Sequence, residues 1–220
     1  MAPRIKTQER IVQTSLELFN QQGERSVSTN HIAARMEISP GNLYYHFPNK
    51  QAIIAQLFQG YETLVDELLQ LPADRQLRVA DQRDYLLAIL DGMWRYRFLH
   101  RDLEHLLGVD PDLATRYRRF SRRSLAQAMV IYGAFDKAGI LSIDNVQAES
   151  LTLNTWIILT SWVRFLSTTR EIASSPGQDA IRRGVYQVLM LEAGYVTAQA
   201  RDEFAALCAE FCVPLSKVLE

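Results

Sequence analysis

The sequence is organised around one stretch, SPGNLYYHFPNK at residues 39–50. Ser39 can cap a helix, and Pro40 suits the first helical position, where a missing N–H costs nothing, so the stretch predicts a helix that starts at Pro40. Leu43 and Phe47 lie four residues apart and would anchor one face, which leaves the polar and aromatic side chains facing outward. The stretch contains no acidic residue. Because a surface that meets phosphate excludes acids, this pattern favours a helix that lies in a DNA groove.

The residues just upstream predict a second short helix. Ser28 can cap it, and Ile32, Ala33 and Met36 would form its buried side. Residues 37–39 then join the two helices by a tight turn. Two helices joined by a three-residue turn form a helix-turn-helix unit, in which the second helix enters the major groove.

The residues in and around this unit also resemble a known family. The matching motifs are LELF at 16–19, Gly23, Ile32-Ala33 and GNLYYHFPNK at 41–50. At these spacings, over roughly residues 7–54, the chain resembles the DNA-binding domain of the tetracycline-repressor (TetR) family. Glu37 departs from the pattern, since family members usually carry a left-handed Gly there, and a non-Gly residue costs on the order of 1 kcal/mol.

The resemblance implies a homodimeric DNA-binding regulator, usually a repressor, that a small effector releases from a palindromic operator. It assigns the DNA contacts to nine residues: Ser28, Thr29, Ser39, Gly41, Asn42, Tyr44, Tyr45, His46 and Lys50. Ser28 and Thr29 would contact phosphate at the start of the first helix, and the Tyr-Tyr-His run and Lys50 would hold phosphates beside the second. The alternative is a surface helix whose aromatic side chains only pack on a neighbouring element.

The charge distribution fits a DNA-binding head on a larger body. The 220 residues have a formal net charge of −1. Residues 1–52 carry six basic and four acidic residues, a net charge of +2, so the remainder carries −3. We therefore expect a helix-turn-helix domain over residues 1–52 and a helical ligand-binding and dimerisation domain over 53–220. The N-terminus lacks a signal-peptide core and no apolar run reaches the ~18 residues of a membrane span, which predicts a cytoplasmic protein.

The rest of the sequence predicts helices and no strands. A three-helix head and a larger helical body give an all-α fold of about nine or ten helices. Periodicity and capping signals place further helices over residues 7–22, 49–71, 83–107, 111–138, 145–169 and 178–194, and from the Thr197 cap to Phe211. The residues at 174–177 would separate the helices on either side of them.

Two of these helices, 145–169 and 178–194, are apolar on nearly all sides. Such a helix must be buried on both sides. One side can face the protomer core and the other a second protomer, which predicts a homodimer with a four-helix interface. The alternative is that both are deep core helices of a monomer.

Aromatic and apolar residues on the body helices could line an effector pocket for a small apolar or amphipathic molecule. The candidates are Tyr61, Met93, Trp94, Phe98, Tyr117, Phe120 and Trp156. Such residues also form ordinary cores. A rival function is therefore a DNA-binding protein of the same fold without a small effector, controlled by a protein partner or acting as an activator or architectural factor.

Enzyme and metal chemistry are disfavoured. No nucleophile, nucleotide-binding or metalloprotease motif occurs, so we expect no catalytic residue and no cofactor. Cys208 and Cys212 form neither a redox pair nor a zinc set and are expected to be buried, and His100 and His105 are five apart rather than four. The arginines between 116 and 123 favour a solvated helix face, with an anion site as the alternative.

Overall fold

The computed structural model describes residues 6–169 and 178–219 of the chain. Within these ranges it contains twelve α-helices, ten of them with seven or more residues, and no strand. The predicted all-α class is confirmed. The helices are α1 Thr7–Gln22, α2 Thr29–Arg35, α3 Pro40–His46, α4 Lys50–Leu68, α5 Val79–Arg95, α6 Arg97–Arg101, α7 Leu103–Val109, α8 Pro111–Lys137, α9 Asn145–Thr169, α10 Gln178–Glu192, α11 Arg201–Phe211 and α12 Leu215–Leu219. A 3₁₀ turn, Ala193–Tyr195, follows α10.

The described residues form two compact units. The first contains the chain up to Thr63 together with Tyr96–Tyr117, and the second contains Leu64–Arg95 together with the chain from Arg118 onward. Both α4 and α8 therefore contribute residues to each unit. The functional division predicted at residue 52 remains a prediction.

The first unit is built on fully buried apolar side chains from both of its chain segments. Ile11 and Phe19 of α1, Ile32 of α2 and Leu43 of α3 supply the part nearest the N-terminus. Phe98 of α6 is also fully buried, and its ring centroid lies 5.3 Å from that of Phe19. The segment 96–117 thus completes the core behind the helix-turn-helix.

The second unit packs α5, α9, α10 and α11 together. Trp162 of α9 lies over α10, where its indole Nε1 donates to the Ala180 carbonyl at 2.9 Å. Gly184 makes this approach possible, since a Cβ at that position would lie 2.7 Å from Trp162 Nε1 and 3.1 Å from Leu90 Cδ1. A close helix crossing explains why a glycine stands in the middle of α10.

Several helix ends follow the capping signals of the sequence. Gly23, with φ 87°, ends α1 and donates its N–H to the Phe19 carbonyl. Asp144 and Gln147 form a capping box at the start of α9, since each side chain accepts from the other's backbone N–H, at 2.8 and 2.9 Å. α9 is helical up to Thr169, the last described residue before the gap. The connector predicted at 174–177 lies outside the described residues.

One long predicted helix is wrong. The single helix expected over 83–107 is divided into α5, α6 and α7, with breaks at Tyr96 and Asp102. The Phe98 N–H donates to the Asn20 side chain at 3.1 Å instead of to a carbonyl one turn back. The break therefore follows from a contact with α1, which no local pattern encodes.

Smaller differences occur elsewhere. α4 ends at Leu68, three residues before the predicted end, and α12 was not predicted. Cys208 is half-buried and Cys212 is exposed, so the predicted burial is wrong for Cys212, which lies beyond the end of α11 at Phe211. No helix in the described ranges is long and apolar enough to cross a membrane.

Candidate nucleic-acid interface

The helix-turn-helix unit forms at the predicted residues. Ser28 caps α2 through a reciprocal capping box with His31, in which Ser28 Oγ accepts from the His31 N–H at 3.3 Å and His31 Nδ1 accepts from the Ser28 N–H at 3.4 Å. Ser39 Oγ accepts from the Asn42 N–H at 3.2 Å, and α3 begins at Pro40. Two side-chain caps therefore fix where both helices start.

The outer surface of α3 is polar and aromatic, whereas its inner edge is anchored. Leu43 is fully buried. Tyr45 is 86% exposed and Tyr44 47% exposed. Gly41 and Asn42 are exposed as well. Two tyrosine rings held out in water on a short capped helix form a surface suited to a partner.

Two of the predicted contact residues are joined to each other. Thr29 Oγ1 and Tyr44 Oη lie 2.9 Å apart, within hydrogen-bonding distance, so the start of α2 fixes the Tyr44 hydroxyl on α3. His46 is half-buried, with its ring edge-on to that of Tyr45 at 5.1 Å. The Thr29 to Tyr44 contact has no sequence signal, because it joins residues 15 positions apart on different helices.

The turn between α2 and α3 is strained at Glu37. This residue has φ 57° and is the one non-glycine with positive φ among the residues that the structure describes. The exposed Glu37 thus takes the left-handed conformation that Gly adopts at lower cost.

Lys50 is half-buried, and its ammonium is paired within the protein. Its ammonium lies 2.6 Å from the Glu24 carboxylate and donates to the carbonyls of Glu24 and Val27, each at 3.1 Å. An ammonium has three N–H donors, and these three acceptors use them all. The predicted phosphate contact of Lys50 remains a prediction.

The seven predicted effector residues are divided between the two units. In the first unit, Tyr61 and Tyr117 both pack on Phe58, at centroid distances of 6.4 and 6.0 Å. Tyr61 Oη also lies 3.1 Å from Nε2 of the buried His100. Burial lowers the pKa of His100 to about 4, so its ring is neutral at physiological pH. Phe98 is committed to the contact with Phe19.

In the second unit, Phe120 and Trp156 pack together at 6.2 Å. Trp94 packs against a cluster made by Leu166, Ala180, Val213 and Val218. Met93 is buried. An open groove of about 440 Å³ also lies in this unit, and it is lined by none of the seven: its walls are Leu87, Asp91, Gln178, Ile181, Arg182, Glu210 and Phe211.

The arginines of α8 are partly paired. Arg116 Nε lies 2.5 Å from the Glu62 carboxylate in the first unit, and Arg123 Nη2 lies 3.0 Å from that of Asp66 in the second. Arg118, Arg119 and Arg122 are exposed, as the solvated-face interpretation expects.

The helices predicted to form the dimer interface differ in their exposed faces. α9 exposes Val146, Leu153 and Ile157, the last two at 50% and 51%. α10 exposes Met190, whereas Leu189 is fully buried inside the protomer. A charge at Leu189 would therefore test the protomer core rather than a dimer interface. The exposed apolar stripe lies on α9 and consists of Val146, Leu153 and Ile157.

Two family models match the chain. The model described as "Bacterial regulatory proteins, tetR family" matches residues 11–57, which contain α2, the turn and α3. The TetR model described as "Bacterial transcriptional repressor" matches residues 60–204. Together they cover most of the two units.

Individual proteins give the same result. The crystal structure of a TetR-family transcriptional regulator from Marinobacter aquaeolei VT8 is 44% identical, with a TM-score of 0.88, over 95% of this chain and 100% of that one. The tetracycline repressor protein class C of Escherichia coli is 34% identical over 56 residues, 26% of each chain. An HTH-type transcriptional repressor of Mycobacterium tuberculosis is 31% identical over 86 residues, 37% of this chain and 46% of that one. The chain spans less than half the length of the curated relatives that it matches.

Proposed function

Because the chain belongs to the TetR family of bacterial transcriptional regulators, we propose that it is a homodimeric repressor whose α3 helices bind a palindromic operator and release it when a small effector binds. Family membership makes it a DNA-binding regulator and not an enzyme. The observation that carries the proposal is the surface of α3, where Tyr44 and Tyr45 are held out in water above the buried anchor Leu43. A regulator of chromosomal DNA acts in the cytoplasm, where that DNA lies.

The contacts of α3 divide by chemistry. The Tyr45 hydroxyl can donate to a phosphate oxygen, and so can one hydroxyl of the Tyr44–Thr29 pair, because the other hydroxyl donates within the pair. Phosphate contacts of this kind fix the register of the helix. Gly41 and Asn42 lie in the exposed first turn of α3. There the backbone at Gly41 can approach the DNA closely, and the Asn42 side-chain amide can pair with a base edge. Ser28, Ser39 and His46 flank this surface.

Two copies of the chain are needed for a palindrome. One copy of α3 reads one half-site, and a two-fold dimer places its second copy about 34 Å away, one turn of DNA. The apolar stripe Val146, Leu153 and Ile157 on α9 supports this assembly, because three large apolar side chains in line on one helix face favour burial against a partner.

The effector part of the proposal rests on α4. This helix is continuous from Lys50 to Leu68 and contributes to both units, so it gives a covalent path from the head into the helical body. The seven aromatic and apolar residues named above remain the proposed effector contacts. Binding must be reciprocal: an effector that weakens DNA binding by some factor is bound more weakly by the DNA complex by that factor.

DNA binding is tested on a duplex that the wild-type protein enriches from a randomised library. Tyr45→Ala should weaken binding to that duplex by about tenfold or more, the scale of one lost hydrogen bond together with its packing. Val109→Ala, a change at an exposed apolar residue of α7, is the control and should bind as wild type does. Equal affinity of all three proteins would refute the role of α3.

The dimer is tested by sedimentation of Ile157→Glu. Ile157 is half exposed in the protomer, so a carboxylate there leaves the fold intact but would be unpaired in a dimer, at a cost of several kcal/mol. Leu215→Glu on α12, at 47% exposure, is the matched control. A dimeric Ile157→Glu variant would show that α9 is not the interface.

A further inference from the structure

The start of α4 is fastened to the loop that follows α1. Lys50 gives its three N–H donors to the Glu24 carboxylate and to the carbonyls of Glu24 and Val27. The Glu24 side chain is 5% exposed and that of Lys50 23% exposed. A buried carboxylate of this kind needs a paired cation, and Lys50 supplies it.

The same loop is held from its other side by the segment around α6. Arg101 Nη2 donates to the Phe19 carbonyl at 2.6 Å, and Nη1 to the Asn20 carbonyl at 3.4 Å, so the guanidinium caps the last carbonyls of α1. A cation at this position also meets the negative end of the helix dipole. Asp102 Oδ2 accepts from the Glu24 N–H at 3.3 Å.

Glu24 therefore stands at the centre of a continuous chain of polar contacts. Its N–H joins Asp102, its carboxylate joins Lys50, and its second carboxylate oxygen lies 3.8 Å from His105 Nε2 of α7. Every member of this chain belongs to the first unit. The contacts connect α6 and α7, from the middle of the sequence, to the end of α1, to the loop that follows it and to the start of α4.

We propose that Glu24, Lys50 and Arg101 are positioning residues for DNA binding: they form an internal joint that sets where α3 is held, and Lys50 acts through Glu24 rather than by contacting phosphate. The short segment from Phe47 to Asn49 links α3 directly to the residue that the joint fixes. The proposal rests on DNA binding through α3.

A positioning role for these residues and a direct phosphate contact by Lys50 predict opposite results. If Lys50 neutralises a phosphate, Lys50→Met must flatten the dependence of log K on log salt by about 0.9 for each subunit, roughly 1.8 for a dimer. Glu24→Gln would then raise affinity, because it removes a negative charge from the DNA-binding head. If the joint positions α3, both changes lower affinity and neither changes the salt slope.

The experiment measures the affinity of full-length protein for the library-selected duplex at four salt concentrations. We expect Glu24→Gln and Lys50→Met each to lower affinity by about tenfold, the scale of one charge-assisted hydrogen bond. The double variant should lose no more than Lys50→Met alone, because the contact that Glu24→Gln weakens is one of the three that Lys50→Met already removes. If Lys50→Met fails to fold because it leaves the buried Glu24 carboxylate unpaired, the double variant can still be tested, since it carries no such charge.

Arg101→Met tests the far side of the joint and should likewise lower affinity at unchanged salt slope. Arg119→Met is its control, because it removes an exposed guanidinium from α8 and should leave affinity unchanged. A flatter slope for Lys50→Met together with tighter binding by Glu24→Gln would overturn the joint. Wild-type affinity in all of these variants would overturn the positioning role too. If the wild-type protein enriches no duplex from the library, the proposed function itself is refuted.

Discussion

Glu192, at the end of α10, should make the stability of the protein depend on pH. The carboxyl group is 3% exposed. It accepts from the Tyr132 hydroxyl at 2.8 Å and from Gln82 Nε2 at 2.5 Å, and Gln82 Oε1 has no partner among the described residues. Burial raises the pKa of Glu192 from 4.5 to about 8, because an ionised carboxylate is poorly solvated there. We predict that Glu192→Gln removes this pH dependence.

The sign follows from the bound proton. Between the two pKa values the folded protein holds a proton that the unfolded chain has released, so the free energy of unfolding falls as pH rises from 4.5 to about 8. Each unit of pKa shift corresponds to ~1.4 kcal/mol, so the whole window corresponds to a loss on the order of 5 kcal/mol. Glutamine stays neutral, can still accept from Tyr132 and, once the Gln82 amide turns over, can offer its NH₂ to Gln82 Oε1.

The assay is urea unfolding of wild type and Glu192→Gln at intervals from pH 5 to 9. Their unfolding free energies should lie close together at pH 5, and the variant should become the more stable by several kcal/mol at pH 8.5. Tyr132 and Cys208, whose pKa values the Glu192 charge helps to raise, titrate at or above the top of this range, and the contributions of groups remote from Glu192 cancel in the difference. Glu149→Gln, at an exposed position of α9, should show no such divergence. Parallel profiles for wild type and Glu192→Gln would refute the reasoning.

Three further substitutions test local geometry. A Cβ at Gly60 would lie 2.9 Å from Tyr96 Oη, so Gly60→Ala should lower the melting temperature. In a Tyr96→Phe background, Gly60→Ala should instead raise the melting temperature relative to Tyr96→Phe alone, because alanine then contributes only its better helix propensity of up to about 1 kcal/mol; a loss in that background would contradict this cause. Glu37→Gly should stabilise the protein by about 1 kcal/mol in thermal unfolding, because it relieves the positive φ, and an unchanged or lower melting temperature would contradict the strain. Gly184→Ala should destabilise by about 1–3 kcal/mol, because its Cβ would overlap Trp162, and retained stability in urea unfolding would show that the indole can move aside.

Local chemistry accounts for what could be predicted from the sequence. The caps at Ser28 and Ser39, the stop at Gly23 and the box at Asp144 act within four residues, so their side chains fix helix ends wherever the chain goes. The all-α class and the helix-turn-helix unit rest on such signals. The outward Tyr45 follows from them, because Leu43 and Phe47 fix which edge of α3 turns inward.

Contacts between distant residues account for the rest. The helix break at Tyr96 depends on Asn20, whose side chain accepts from the Phe98 N–H, 78 residues further along the chain. Lys50 carries the charge expected beside DNA, yet its three acceptors come from a loop more than 20 residues upstream. Leu189 and Ile157 are both large and apolar on apolar helices, and only tertiary packing decides that the first is interior and the second is not.

The first unit is discontinuous in the sequence, and this matters for anyone who cuts or recombines the chain. A fragment that stops after the start of α4 would contain the whole recognition motif but would lose Phe98, Arg101 and Asp102. It would expose Phe19 and lose the guanidinium that donates to the Phe19 and Asn20 carbonyls of α1. A chimaera that grafts this head onto a foreign body must therefore carry residues 96–117 with it, or choose a recipient whose own helices supply an equivalent phenylalanine and arginine.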